Sequence, residues 1–348
     1  MNNKNKHNEE NKLLIKTLIF LLIILCILII TFSIDALLKF NPDSFNQNIA
    51  EVKPDLCKLS NGEWMMVYVK GYFTGQIYGK KSNDNGITWK EPFKIGRLSG
   101  DTPHIISTKN DTIIVTSSYA EGSDENICRY TKSFDNGKTW IKVKYVNYSN
   151  IGFCSGLNKV DDTVYLCGGN WSLNQSKTKV YPQASLWKYD EINDSFNLVY
   201  RFNDSKLVDE WDFLCIDNNH WVAYFRGLEE KTFRVETYNK GINWTIPVDV
   251  TESIGFLKYP IVEKLEENLF IISGEESSDN KSNIVYWLSN DGINWINKTI
   301  IQYGVRYVTE TGSPTIIYYN KNIFISYHHG KWGDASSEVN IYHKRIQL

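Results

Sequence analysis

The sequence predicts an all-β fold, a six-bladed β-propeller, preceded by one N-terminal transmembrane helix. Three observations carry this: an aromatic-rich composition, an octet that recurs about every fifty residues, and a hairpin pattern that recurs in step with it. Aromatic residues make up 14% of the 348, with 21 Tyr and 11 Trp, and such side chains suit pleated, half-buried strands better than helices.

The octet first reads Ser82-Asn83-Asp84-Asn85-Gly86-Ile87-Thr88-Trp89. It returns as Ser133 to Trp140, as Thr237 to Trp244 and as Leu288 to Trp295, and a degraded copy runs from Tyr189 to Phe196. The closing aromatics at 89, 140, 196, 244 and 295 are 48 to 56 residues apart, a period that implies one supersecondary unit per repeat. The octet resembles a calcium loop in composition only. An EF-hand with Gly86 sixth would need a glutamate twelfth, where Pro92 stands. Turn chemistry accounts for each defined position instead. Glycine takes a positive φ, the Asp or Asn side chain holds backbone amides, and the Trp packs between outer strands.

The hairpins run in order over residues 53–70, 102–119, 153–170, 210–227, 259–276 and 312–329. Each places alternating apolar residues on either side of a short polar turn such as Asn61-Gly62, Asn110-Asp111 or Asp161-Asp162. Six hairpins give six blades. The strand from Val339 to Ile346 belongs to the last blade, and a segment from Ala36 to about Ala50 is expected to close the ring, since an open blade would leave an unpaired edge.

The N-terminus obeys different rules. From Leu13 to Phe32 the chain is apolar except for Lys16 and two threonines, the length a bilayer-spanning helix needs. Lys4, Lys6, Lys12 and Lys16 precede or enter it, so the positive-inside rule leaves the N-terminus in the cytoplasm and the rest outside. A cleaved signal peptide is the competing reading. The run exceeds a usual h-region and Thr31-Phe32-Ser33-Ile34-Asp35 lacks a small-x-small site, so we read residues 1–12 as a cytoplasmic tail, 13–33 as a signal anchor, 34–50 as a linker and 51–348 as the propeller.

Beyond residue 33 there are 34 basic and 38 acidic residues, so no basic field exists for a nucleic acid. Cys57, Cys128, Cys154, Cys167 and Cys215 show no metal-ligand spacing and are odd in number. Cys154 and Cys167 are candidates to meet across a hairpin. Nine Asn-x-Ser/Thr sequons permit glycosylation outside the cell. No cofactor or metal is expected; the adjacent His328 and His329 lack a third ligand at a recognisable spacing.

The S-x-D-x-G-x-T-W octets are similar to Asp-boxes, or BNR repeats, and six such blades in series resemble the sialidase (neuraminidase) superfamily over nearly everything after residue 50. In that family the boxes lie on the blade periphery, so function is to be sought where the innermost strands begin. Residues on either side of a two-residue turn pair at a constant sum. The Asn218-Asn219 turn therefore sets Glu210 beside Arg226. The resemblance implies that Glu210 is the base activating a Tyr nucleophile and that Arg226 is one of three arginines gripping a sugar carboxylate; phenol needs an adjacent base, and guanidinium binds a carboxylate in two-pronged fashion. A simple rim salt bridge is the alternative.

The chain departs from the family pattern elsewhere. Val52-Lys53-Pro54 stands for Arg-Ile-Pro, Glu275-Glu276 falls where the fifth-blade arginine belongs, and Ser313 falls where the tyrosine belongs. Lysine cannot reproduce the planar fork. The expected mouth comprises Lys53, Asp101, His104, Tyr119, Trp171, Glu210, Asp212, Arg226, Tyr259, Glu275 and His328-His329. Aromatics and carboxylates around a cleft suit sugars, and two carboxylates flanking a glycosidic bond can serve as acid and base, Glu210 with Asp101 or Asp212. Arg226, Lys53, Tyr119, Trp171, Tyr259 and His328 are the candidates for substrate binding. The expected function is a membrane-anchored extracellular sialidase-like glycosidase acting on a terminal, in one version anionic, sugar. The alternative is a propeller that binds cell-surface glycan or protein without cleaving it.

Overall fold

The structure, a computed structural model, describes residues 50–348 apart from 72–74, 122–124, 147–150, 171–182, 307 and 332–338, and within its strands leaves undescribed the side chains at 119–121, 125, 126, 170, 209, 310 and 331. The apolar run of residues 13–32 and the linker up to residue 49 lie outside the described residues. Among those described, no helix is long and apolar enough to cross a membrane.

Six antiparallel sheets follow one another along the chain, over residues 51–99, 101–145, 153–201, 207–249, 257–302 and 309–347. The first five are four-stranded and the sixth shows three described strands. The innermost strands are Glu51–Lys58, Asp101–Ser107, Phe153–Val160, Leu207–Cys215, Leu257–Glu266 and Thr309–Tyr319. Each lies against the next, and the sixth against the first, so the blades close a ring. At the seam the Glu51 amide donates to Val339 O, and the strand Asn340–Gln347 pairs within the sixth blade as the sequence suggests.

Each blade is sandwiched between two others, so its middle strands are buried on both faces. Trp64–Lys70 and Trp221–Gly227 accordingly read as almost continuous apolar runs rather than alternating ones. The buried side chains form six clusters, one at each blade interface. The octets fold as the turn chemistry demands. In the first, Ser82 Oγ donates to Asp84 Oδ1 and accepts from Gly86 N, while Thr88 N and Oγ1 both donate to Asp84. Asn85 and Gly86 have φ of 58° and 80°. At the equivalent Gly241, φ is 83° and a Cβ would meet Leu186 Cδ2 at 2.8 Å, which disfavours other residues on two counts.

Each box aromatic wedges into the interface between its own blade and the preceding one: Trp140 against blade 1, Phe196 against blade 2, Trp244 against blade 3, Trp295 against blade 4 and Trp89 against blade 6. In the fifth blade the working residues are Ser289 and Asp291, one position nearer the Trp than in the first octet. Gly292 N bonds Ser289 Oγ and Asn294 N bonds Asp291 Oδ1, which corrects the alignment of Leu288 and Asn290 to those roles. A second correction concerns cysteine. Cys154 is joined to Cys128, tying blade 2 to blade 3, and Cys167 is a free, buried thiol. Cys167 faces Gly156 across its hairpin, and it is Gly168 that faces Cys154.

The inner strands have no sheet partner on the axial side, and a belt of side chains takes that place. One residue from each strand occupies the same level: Asp55, His104, Ser155, Asp212, Ile261 and Thr315. Thr315 Oγ1 donates to Asp55 Oδ1 at 2.6 Å, and Asp55 Oδ2 accepts from Ile105 N at 2.9 Å. His104 Nε2 donates to Cys154 O at 3.3 Å, and Ser155 Oγ both donates to Trp211 O and accepts from Trp211 N. Asp212 Oδ2 accepts from Val262 N at 3.0 Å. Five of the six junctions are thus bonded from one blade to the next. Ile261 interrupts the belt, and the junction of blades 5 and 6 is held instead by its apolar cluster and by the Tyr318 hydroxyl donating to Glu266.

Two outcomes follow from this belt. Asp55→Ala removes a charged acceptor and leaves the Ile105 N–H unpaired, which should lower unfolding stability by about 3 kcal/mol in urea titrations of the propeller. Burial, partly offset by hydrogen bonds from Asn158 and the Val262 amide, raises the Asp212 carboxyl from 3.8 to about 6. An acid whose folded value is raised stabilises most below its unfolded value and loses that contribution as pH climbs. Stability should therefore fall by up to about 3 kcal/mol between pH 4 and 6 through this group, a slope absent from Asp212→Asn.

Candidate functional site

The inner strands break register near their N-terminal ends. Breaks fall between Val52 and Asp55, Asp101 and His104, Leu207 and Trp211, Lys258 and Ile261, and Gly312 and Thr315. In four blades the break carries an X-Pro pair, at Pro54, Pro103, Pro260 and Pro314. Proline has no N–H for the ladder, and the residue before it stands at positive φ: Lys53 at 54°, Thr102 at 44°, Tyr259 at 47° and Ser313 at 47°. None of these is glycine, so each conformation is strained and held by its surroundings. With Phe153 and Glu210 at the equivalent positions, these residues form a rim just above the belt. Below the rim runs an axial shaft with a cavity of ≈ 560 Å³, lined from Lys53, Thr102, Tyr259 and Ser313 at one end to Lys58, Ser107, Val160, Cys215, Lys264 and Tyr318 at the other.

The pairing that sets Glu210 beside Arg226 holds. The turn is wider than two residues, running from Ile216 to His220, and Trp211 pairs with Phe225 and Asp212 with Tyr224. Glu210 is 5% exposed, and its Oε1 accepts from Arg226 Nη1 at 2.6 Å. Its Oε2 accepts from Tyr259 N at 3.1 Å, which fixes the strained Tyr259 backbone. On the other side of the rim Lys53 Nζ donates to Asp101 Oδ2 at 2.6 Å and lies 5.7 Å from the Tyr259 ring centroid. Tyr259 is therefore the meeting point. Its phenol is pushed well above its ordinary value, first by burial and then by Glu210, Asp101 and Glu275 in that order, with Arg226 opposing.

Glu275 is also buried, its Oε1 accepting from Lys258 Nζ at 2.9 Å and from Ser282 Oγ at 2.7 Å. His328 accepts the Lys53 amide at Nδ1, 3.2 Å away. Burial first, then Lys53 and His329, hold its value down to about 3. The ring is neutral, with its proton on Nε2. His329 turns to Thr311 Oγ1 and Gln302 instead.

Three carboxylates from three blades thus converge with Arg226, Lys53, Tyr259 and His328. Asp212 stands apart in the belt, its Oδ1 taken by Asn158 Nδ2 and its Oδ2 by Val262 N. His104 likewise serves the belt. Trp171 lies outside the described residues, and Tyr119 is described only as a backbone position paired with Ile127. Lys258 was not among the sequence candidates, although the pairing arithmetic that found Arg226 finds it, since Lys258 faces Glu275 in the same hairpin. The four X-Pro pairs were an unused signal of equal value. Among the described residues no group of three His, Cys, Asp or Glu side chains could hold a metal ion.

No protein-family model and no curated relative matches the sequence. Solved structures share the architecture. A Dyadobacter fermentans protein of unknown function superposes with a TM-score of 0.71 at 14% identity, covering 88% of this chain and 97% of that one. The NanB sialidase from Streptococcus pneumoniae matches with a TM-score of 0.65 at 11% identity, over 89% of this chain and 70% of its own. A leech intramolecular trans-sialidase matches with a TM-score of 0.64 at 11% identity, over 87% and 68% respectively. In fold, the chain is similar to the six-bladed sialidase propellers.

Proposed function

We propose that this chain is a membrane-anchored, extracellular sialidase-like glycoside hydrolase that acts on a terminal sugar of a glycan. One observation carries the reading: Glu210 and Asp101, from different blades, flank the same rim residue, Tyr259, at the mouth of the shaft. Two carboxylates on opposite sides of a bound sugar can divide proton donation and base or nucleophile work between them. Tyr259 supplies an aromatic face between them, and the strained rim holds all three without substrate. Likeness to solved sialidases supports a sugar-processing role by analogy of fold alone.

The Cys128–Cys154 disulfide supports the outward placement, because such bonds persist in oxidising compartments, and the apolar run of residues 13–32 supplies the anchor. A binding-only propeller is the second reading. It is favoured by the engagement of both Glu210 oxygens, one by Arg226 and one by the Tyr259 amide.

Hydrolysis of fluorogenic glycosides by the full chain should be measurable, and Glu210→Ala and Asp101→Asn should each lower kcat by about 100-fold or more. Unchanged turnover in Glu210→Ala would remove the site assignment, and glycan-array binding without turnover of any glycoside would establish the second reading. For the anchor, the chain should stay with membranes through alkaline extraction, and protease added to intact cells should digest the propeller; release into the alkaline supernatant would refute it.

A further inference from the structure

We infer that the sugar received at this mouth is electrically neutral, a terminal pyranose without carboxylate or sulfate. The inference rests on the reading of the mouth as a sugar site and deepens it. Its basis is the charge inventory of the rim. Each of its described cations is paired with a carboxylate: Arg226 with Glu210 at 2.6 Å, Lys53 with Asp101 at 2.6 Å, and Lys258 with Glu275 at 2.9 Å. Arg306, in the segment that joins blades 5 and 6, likewise pairs with Glu230 of blade 4 at 2.9 Å. Three positive charges meet three negative ones, so the described rim carries no surplus with which to attract an anion.

Burial makes the pairing hard to break. Glu210 and Glu275 are 5% and 6% exposed. A substrate carboxylate that drew Arg226 or Lys258 toward itself would leave a buried carboxylate without its partner, which is strongly unfavourable. It would also enter a site where three carboxylates already act on Tyr259 or its neighbours, and like charges at close range repel. His328 cannot supply a fourth positive charge. Its Nδ1 accepts the Lys53 amide, so an added proton would have to displace that bond. Among the described rim groups, those able to meet a ligand include carboxylate lone pairs, the Tyr259 ring and hydroxyl, and the Ser313 hydroxyl. These suit sugar hydroxyls, which donate and accept without net charge.

The test compares two sets of substrates on the full chain. Neutral 4-methylumbelliferyl glycosides (galactoside, glucoside, mannoside, fucoside, N-acetylglucosaminide) are set against the N-acetylneuraminide and the glucuronide. We expect kcat/KM for the best neutral member to exceed that for either acidic one by about 100-fold or more. It should also change less than twofold between low and high salt, because no net attraction is screened. Glu275→Gln releases Lys258 from its carboxylate and should narrow the neutral-to-acidic preference by about tenfold, a shift that a loss of folding would not produce.

An acidic glycoside turned over as well as the best neutral one would overturn the inference while leaving the glycosidase reading intact. If no glycoside of either class is cleaved, the glycosidase reading falls and binding decides the inference. Capture of neutral glycan termini on an array would then uphold it, and capture of carboxylated or sulfated termini, or of no glycan, would overturn it.

Discussion

Six strands that surround an axis without pairing to one another present a physical difficulty: each offers a row of N–H and C=O groups on a side where no sheet continues. The belt at Asp55, His104, Ser155, Asp212 and Thr315 answers it. Each side chain reaches across to the next inner strand, or in the case of Thr315 to the Asp55 side chain, so neighbouring blades are joined without a continuous ladder. Four of the five bonding side chains, Asp55, Ser155, Asp212 and Thr315, are short, and His104 is the longer exception. Aspartate is the best acceptor among them, because one carboxylate can serve two donors at once, as Asp55 serves Ile105 and Thr315.

The rim depends on the belt directly beneath it. In five blades the inner strand breaks register just above its belt position, and in four of these a proline enforces the break. Belt bonds hold the strand below, the hairpin ladder holds the strand behind, and the residue between is left in a left-handed conformation that it would not adopt alone. Lys53 and Tyr259 owe their positions to this constraint. So does the closeness of Asp101 and Glu210 to a common neighbour, although they lie more than a hundred residues apart. The geometry of the mouth is therefore set by the bonds of the fold itself, the preorganisation that the proposed function calls for.

How much of this could be read from the sequence follows from the range of each interaction. The blade count was legible because octets and hairpins are local patterns repeated in register. Glu210 with Arg226 was legible because hairpin pairing is arithmetic. Lys258 with Glu275 obeys the same arithmetic, but Glu275 stands where the family pattern puts an arginine, and that departure masks the pair. The fifth octet was misaligned by one because its glycine and tryptophan keep their spacing while the serine and aspartate slide. The Cys128–Cys154 bond and the belt were beyond reach. Both cross from one blade to the next, and no local periodicity records which side chain faces which edge.

The contrast between Asp212 and Glu210 shows why residue type alone could not assign roles. They are two positions apart on one strand, both buried, both carboxylates, and both accept a backbone amide from blade 5. Asp212 faces neighbours that are fixed amides, Asn158 and Val262, with no cation among its bonded partners. Burial therefore dominates and raises its carboxyl to about 6. Glu210 faces the Arg226 guanidinium on a rim open to ligand. Glu210 lies within the register break and Asp212 just below it, so what separates these two is depth along the axis and the partners found at each depth. One level down, a carboxylate is consumed in joining blades. One level up, the same group is paired with a guanidinium at the mouth of the shaft, and under the proposed function the boundary between structural and chemical use in this propeller is that single step along the strand.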